Sequence, residues 1–354
     1  MVTRRPDRRL RIVDAARPDD VVESSIDANV SAPPGHWSTY PITVARRIAR
    51  DFSGDLRGAD IAFASDIPIA AGLSSSSALV VATFLALAHV NSLTLEPMER
   101  LAGYLGAVEN GSTFGDFAGD SGVGTFGGSE DHTAILCARP NALVQYSFCP
   151  VRFEREVPLP HDHELVIASS GVVAEKIGAV REQYNELSRS AQRIAERWRA
   201  ISGRNDATLG DLLMSAPDAF ERTMKALDVS LRDRFSQFVL ESTELIPAAG
   251  DALAAGDLVR LGQIVDRSQD AAERLLRNQI PETMWLVRDA RARGAVAASA
   301  FGAGFGGSVW ALVPADRAES FRETWAEEYA RHFPGPAAAS LFFTTRAGLP
   351  AMRL

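Results

Sequence analysis

The sequence predicts a two-domain α+β protein, on three observations. At 354 residues it is longer than a single hydrophobic core normally supports. Strand-patterned segments cluster toward both ends, around residues 10–13, 60–67, 308–313 and 339–344. Between them runs a long stretch of helical periodicity, from residue 176 to about residue 293.

Composition bounds the function. A hydrophobic fraction of 46% with 23% charged residues is that of a globular protein. A net charge of −8 argues against nonspecific attraction to nucleic acid or an anionic membrane. It still permits a local positive pocket for a nucleotide. Two cysteines, Cys137 and Cys149, are too few for a disulfide framework and suit a reducing, cytoplasmic setting. The longest apolar stretch, residues 78–90, is interrupted by Thr83 and His89 and falls short of the ~20 residues of a membrane span. The basic opening MVTRRPDRRLRIVD has no apolar run behind it, so it does not read as a signal peptide.

In chain order, Leu10 to Val13 reads as a strand, and a helical pattern follows Trp37 and Tyr40 through Ile42, Val44, Ala45, Ile48 and Ala49. Residues 60–67 read as a strand with Ile61, Phe63 and Ser65 on one face. A serine-rich turn then leads into a strongly apolar helix, and a second helix covers 97–109. Glycine, serine and aspartate make 111–128 a loop. Strands are expected at 133–138, 142–148 and 165–168. Ile177, Val180, Tyr184, Leu187, Ala191 and Ile194 mark a helix over 176–202. The PLPHDHE loop places a domain boundary near residue 160, giving domains 1–160 and 161–354.

Three segments carry chemistry. The first is PIAAGLSSSSAL at 68–79. A glycine turn feeding hydroxyl residues into a helix start exposes backbone N–H groups at the positive end of the helix dipole, which suits an anion. Gly72 lets the backbone approach a phosphate, and Ser74, Ser75, Ser76 and Ser77 add donors or a Mg²⁺ ligand. A plain N-cap would need one serine, not four. No lysine follows the turn, so this is not a Walker A loop.

The second segment is GAGFGGSVWALV at 302–313, four glycines in six residues just before an apolar run. On its own it would be a glycine turn at a strand. The third is Glu109-Asn110 at a helix end, followed by GGSEDH at 127–132.

Together the segments resemble the GHMP kinases, the galactose, homoserine, mevalonate and phosphomevalonate kinases. The first matches the family's Pro-x-x-x-Gly-Leu-Gly/Ser-Ser-Ser-Ala motif, with Ser77 in place of the first alanine. Its triple serine most resembles galactokinases. The second matches the glycine motif that lies against the nucleotide phosphates, with Ser308 where cysteine is common. The third resembles the Glu-Asn and Gly-x-x-Asp-Gln segments, with His132 in place of glutamine and 22 positions between Glu109 and Asp131 (131 − 109), more than the family spacing.

The resemblance implies a ribosomal S5 domain 2-like N-terminal domain, a ferredoxin-like C-terminal domain, and phosphoryl transfer from MgATP to a sugar hydroxyl. Under it Gly72, Leu73 and Ser74 to Ser77, with Gly304 and Gly306, face the nucleotide. Ser76 and Glu109 hold Mg²⁺, and Asp131 accepts the proton of the attacking hydroxyl. Tyr184 and Gly128 face the sugar. The stretch GSTFGDFAGDSGVG becomes an insertion near the active site. Weaker matches are Trp37 with Tyr40, and the helix before the second segment, where Gln269 replaces a histidine.

The family's first motif, Gly-Arg-x-Asn-x-Ile-Gly-Glu-His-x-Asp-Tyr, has no match in residues 1–70. Two expectations follow: a start downstream of the natural one, or a chain that binds nucleotide or sugar but transfers phosphate poorly. A different acceptor, such as fucose, a heptose or an amino sugar, is a further alternative.

Overall fold

The computed structural model describes residues 1–172 and 178–352. Three strands open the chain, β1 (Val2–Arg4), β2 (Arg9–Asp14) and β3 (Arg17–Ser25), followed by α1 (Thr39–Asp51) and β4 (Ala59–Phe63). These strands form one mixed sheet in the order β1-β4-β2-β3, with β2 and β4 parallel. Alternation on β2 buries Leu10 and Ile12, and on β4 Ala59 and Ile61.

Helices α2 (Ser75–Asn91), α3 (Met98–Asn110) and α4 (Glu130–Cys137) complete this layer. Helix α2 is apolar nearly all round, with Val80, Val81, Phe84, Leu87, Ala88 and Val90 all buried, so it runs through the core rather than over it. Next come the hairpin β5 (Ala142–Ser147) with β6 (Arg152–Pro158), then strand β7 (His163–Ser169) and α5 (Gly178–Ser202).

A helical middle follows: α6 (Leu209–Ser215), α7 (Ala219–Ala226), α8 (Val229–Leu240), α9 (Ile246–Ala254), α10 (Leu258–Ala271) and α11 (Pro281–Ala292). Two π-helical turns interrupt it, at Glu241–Leu245 and Ala272–Leu276. The chain closes with β8 (Ala297–Ala300), β9 (Ser308–Pro314), α12 (Ala318–His332), α13 (Pro334–Ala337) and β10 (Leu341–Thr345). The second sheet is antiparallel, ordered β10-β7-β9-β8. Its core includes Val166, Ala311, Leu286 and the fully buried Trp325 and Tyr329.

Two sequence expectations need correction. Residues 133–138 were expected as a strand, but Glu130 to Cys137 form α4. Two acidic residues in the first turn suit the helix N-terminus. His132, Thr133, Leu136 and Cys137 recur at helical spacing and are all buried. The strand expected over 60–67 ends at Phe63. There the Ser65 hydroxyl accepts from the Ile67 N–H at 3.2 Å, a turn that also prepares Pro68. Ile177 lies outside the described residues; farther along α5, Ile194, Ala195 and Trp198 are buried as its spacing implies. Among the described residues no helix is long and apolar enough to cross a membrane. Both cysteines are free.

Candidate active site

The first segment folds as a strained turn delivering α2. Gly72 has φ +71°, and Ser74, immediately before the helix, sits in the left-handed region at φ +59°. No serine side chain caps α2. The first intrahelical bond runs from the Ala78 N–H to the Ser74 carbonyl. The N–H groups of Ser75, Ser76 and Ser77 therefore have no partner one turn back within the helix, and they stand at its positive end. Ser74, Ser75 and Ser76 are half-buried, whereas Ser77 is buried.

The glycine segment at 302–307 packs on this turn. Gly307, at φ +85°, approaches so closely that a Cβ there would stand 3.2 Å from Gly72 Cα and 3.0 Å from the Ala71 carbonyl oxygen. Ser308 Oγ donates to that same carbonyl at 2.6 Å. Asn278 holds the far side: its Nδ2 donates to the Ala303 carbonyl at 2.9 Å, and its own carbonyl accepts from the Phe305 N–H. At Gly304 a Cβ would stand 2.1 Å from the Asn278 oxygen. Gln269 is buried, and its Oε1 accepts from Ser299 Oγ and the Ala300 N–H, fixing β8 ahead of the loop.

Behind the α2 start lie the acidic residues. Ser77 Oγ donates to Glu109 Oε2 at 2.9 Å and lies 3.4 Å from Asp131 Oδ2. His132 Nε2 is 3.1 Å from Glu109 Oε2. The structure thus brings Glu109 and Asp131 to one serine, and that serine is Ser77. Ser76, the expected partner of Glu109, lies one residue earlier on the same first turn. Asp131 occupies the first turn of α4, not a loop before a strand.

The insertion between Glu109 and Asp131 is built into the protein rather than draped over it. Asp120 pairs with Arg46 on α1 (2.7 Å), and the Arg50 guanidinium donates to the Gly119 carbonyl. Arg47, fully buried, bonds Asp51 at 3.0 Å and the Ser112 carbonyl at 3.3 Å. Phe114 and Phe117 pack edge-on against Tyr104. Tyr104 in turn donates to Asp51 at 2.9 Å, and burial pushes its hydroxyl pKa far upward. The Val123 N–H returns to the Glu109 carbonyl at 2.9 Å, tying the loop to the acid it follows.

From there the loop reaches α5. Asn185, buried, donates to the Gly124 carbonyl at 3.0 Å and accepts from the Phe126 N–H at 2.9 Å. Tyr184 stands against Gly127, where a Cβ would come 2.5 Å from its hydroxyl. Gly128 follows, its carbonyl 3.2 Å from where a Cβ on Gly106 would stand. The structure brings together the two glycine turns, Glu109 and Asp131, which sequence reasoning had singled out. That reasoning missed the burial of His132, the Asn278 clamp and the arginine–Asp120 anchor, which join residues far apart in the chain.

The donor set suits a hard divalent cation. The single hydroxyl proton of Ser77 can be donated to only one of the two carboxylates at a time. Mg²⁺ is typically held by one or two carboxylates, its remaining positions filled by water and substrate phosphates. Among the described residues no group of three or more His, Cys, Asp or Glu side chains forms a self-sufficient metal cage.

Comparison with known proteins matches these elements. The model of the GHMP kinases N terminal domain covers residues 39–123, and that of the GHMP kinases C terminal covers 250–331. The chain is 32% identical over 300 residues to a galactokinase of Chloroflexus aurantiacus, spanning 83% of this chain and 70% of that protein. It is 26% identical over 297 residues to a galactokinase of Actinobacillus pleuropneumoniae, spanning 83% and 72%. Lactococcus lactis galactokinase, solved with galactose, shares the fold with a TM-score of 0.82 at 22% identity, covering 100% of this chain and 86% of that one.

Proposed function

The chain belongs to the GHMP kinase family, and on that footing we propose that it is a sugar kinase. It would transfer the γ-phosphoryl group of ATP to a monosaccharide hydroxyl at or near the anomeric carbon, with galactose the first candidate. The observation that carries the reading is the meeting of Glu109 and Asp131 on Ser77, at the uncapped start of α2. Phosphoryl transfer asks a protein mainly for in-line positioning and charge neutralisation; the uncapped N–H groups at the start of α2 and the nearby acids that could hold a cation support that reading.

In this reading the N–H groups and hydroxyls of Ser74 to Ser77 receive the phosphates, and Gly72, Leu73, Gly304 and Gly306 shape the backbone around them. Glu109, with Ser76, holds Mg²⁺. The metal, when bound, neutralises charge on the phosphates. Asp131 accepts the proton of the attacking hydroxyl, and Tyr184 with Gly128 borders the acceptor.

The test is ADP release measured over a panel of galactose, fucose, a heptose and an amino sugar, for wild type and Asp131→Asn. Wild type should turn over one sugar preferentially. The variant should lose about 10²–10⁴-fold in kcat while binding ATP normally. Equal turnover by both proteins would remove Asp131 from the mechanism. Absence of nucleotide affinity in the presence of magnesium would end the kinase reading.

A further inference from the structure

Two side chains from different helices converge on one carboxylate oxygen. Ser77 of α2 donates to Glu109 Oε2 at 2.9 Å, and His132 Nε2 of α4 lies 3.1 Å from the same atom. All three residues are buried, with relative exposures of 1% for Ser77, 6% for Glu109 and 1% for His132. Neither ring nitrogen of His132 is aligned for a hydrogen bond with a described group. The imidazole is therefore buried against the acid on which the proposed chemistry depends.

Resting on the reading of Glu109 as a metal ligand, we infer that Ser77 and His132 are paired positioning residues. Together they fix the rotation of the Glu109 carboxylate about its Cγ–Cδ bond. The 3.1 Å separation is within hydrogen-bond distance. Losing a group that orients a ligating carboxylate typically costs about 10- to 100-fold in metal affinity. Because both act on a single oxygen, the loss of one should alter the effect of losing the other.

Mn²⁺ serves as the probe, with free metal followed by electron paramagnetic resonance in the presence of a non-hydrolysable ATP analogue. Ser77→Ala and His132→Leu should each weaken Mn²⁺ binding about 10- to 100-fold. The double variant should lose clearly less than the product of the two. His132→Gln, which restores an N–H, should stay within about threefold of wild type. Melting curves recorded without metal report any loss of folded protein, and binding is compared per folded molecule.

If Glu109→Gln binds Mn²⁺ as wild type does, the ligand reading falls and the inference with it. If Glu109→Gln weakens binding while Ser77→Ala and His132→Leu do not, the inference alone is overturned. Fully multiplicative effects in the double variant would likewise overturn the pairing, as would His132→Gln behaving like His132→Leu.

Discussion

Ser308 Oγ donates to the carbonyl oxygen of Ala71 at 2.6 Å, across 237 positions of sequence. This bond and the adjoining Gly307–Gly72 approach join the two glycine turns into one surface. Gly307→Ala tests the junction most directly. Its φ of +85° costs a side-chain-bearing residue about 1–2 kcal/mol. Its new Cβ would also meet Ala71 and Gly72 backbone at 3.0 and 3.2 Å, atoms that cannot rotate aside. Separating the turns should weaken ATP affinity about tenfold or more, which is about 1.4 kcal/mol. Calorimetry with a non-hydrolysable analogue reads this, and wild-type affinity would show that the junction does not shape the nucleotide site.

Asn278 should matter through the same loop from its opposite side. Its Nδ2 bond to the Ala303 carbonyl is 2.9 Å long and the residue is 2% exposed. Asn278→Ala strands that carbonyl and removes a bond of about 1 kcal/mol. The expected outcome is a several-fold higher KM for ATP with sugar KM unchanged. Equal shifts in both KM values would mark a general loosening rather than an effect on the nucleotide loop.

The complementary variant is Asn185→Ala on α5. Asn185 bonds the Gly124 carbonyl and the Phe126 N–H, so it holds the insertion against the helix that carries Tyr184. Removing two buried bonds of about 1 kcal/mol each should loosen the insertion there. Sugar KM should rise about tenfold, while ATP KM stays near wild type. A rise confined to ATP would place the insertion's influence on the nucleotide side.

What the sequence disclosed follows from how local each signal is. The turns at Gly72 and 302–307 were legible because most of their residues sit at positive φ, which glycine adopts freely, and the glycines that fill them lie close together in sequence. Glu109 was legible as an acid ending a helix. Helix α4 was not, because Thr133 and Ile135 favour strands while only eight residues supply the helical period. The choice of Ser77 over its neighbour Ser76 depends on which face of α2 turns toward α3, which four identical residues in a row cannot reveal. The anchor of the insertion was invisible for a different reason. Arg46 and Asp120 are 74 positions apart, and nothing in either's neighbourhood announces the other.

That anchor predicts a pH response. Burial pushes the Asp120 carboxyl upward, but bonds from Arg46 and the Gly122 N–H, with the Arg46 and Arg47 charges, outweigh it and hold the pKa below the ordinary 3.8. A depressed folded-state pKa gives stability that is complete above the unfolded value and disappears as pH falls through the folded one. Wild type should therefore lose this contribution only below pH 3.8. Asp120→Asn should lack it at every pH and leave the Arg46 guanidinium, 9% exposed, without its buried partner. At pH 7 the variant should be less stable by about 3–5 kcal/mol, the usual cost of breaking a buried ion pair from one side. Denaturant unfolding at several pH values reads the gap between the two proteins, which should narrow as acid protonates Asp120. A gap that is absent at pH 7, or constant into strong acid, would mean that the insertion is held by Phe114 and Phe117 rather than by its charge.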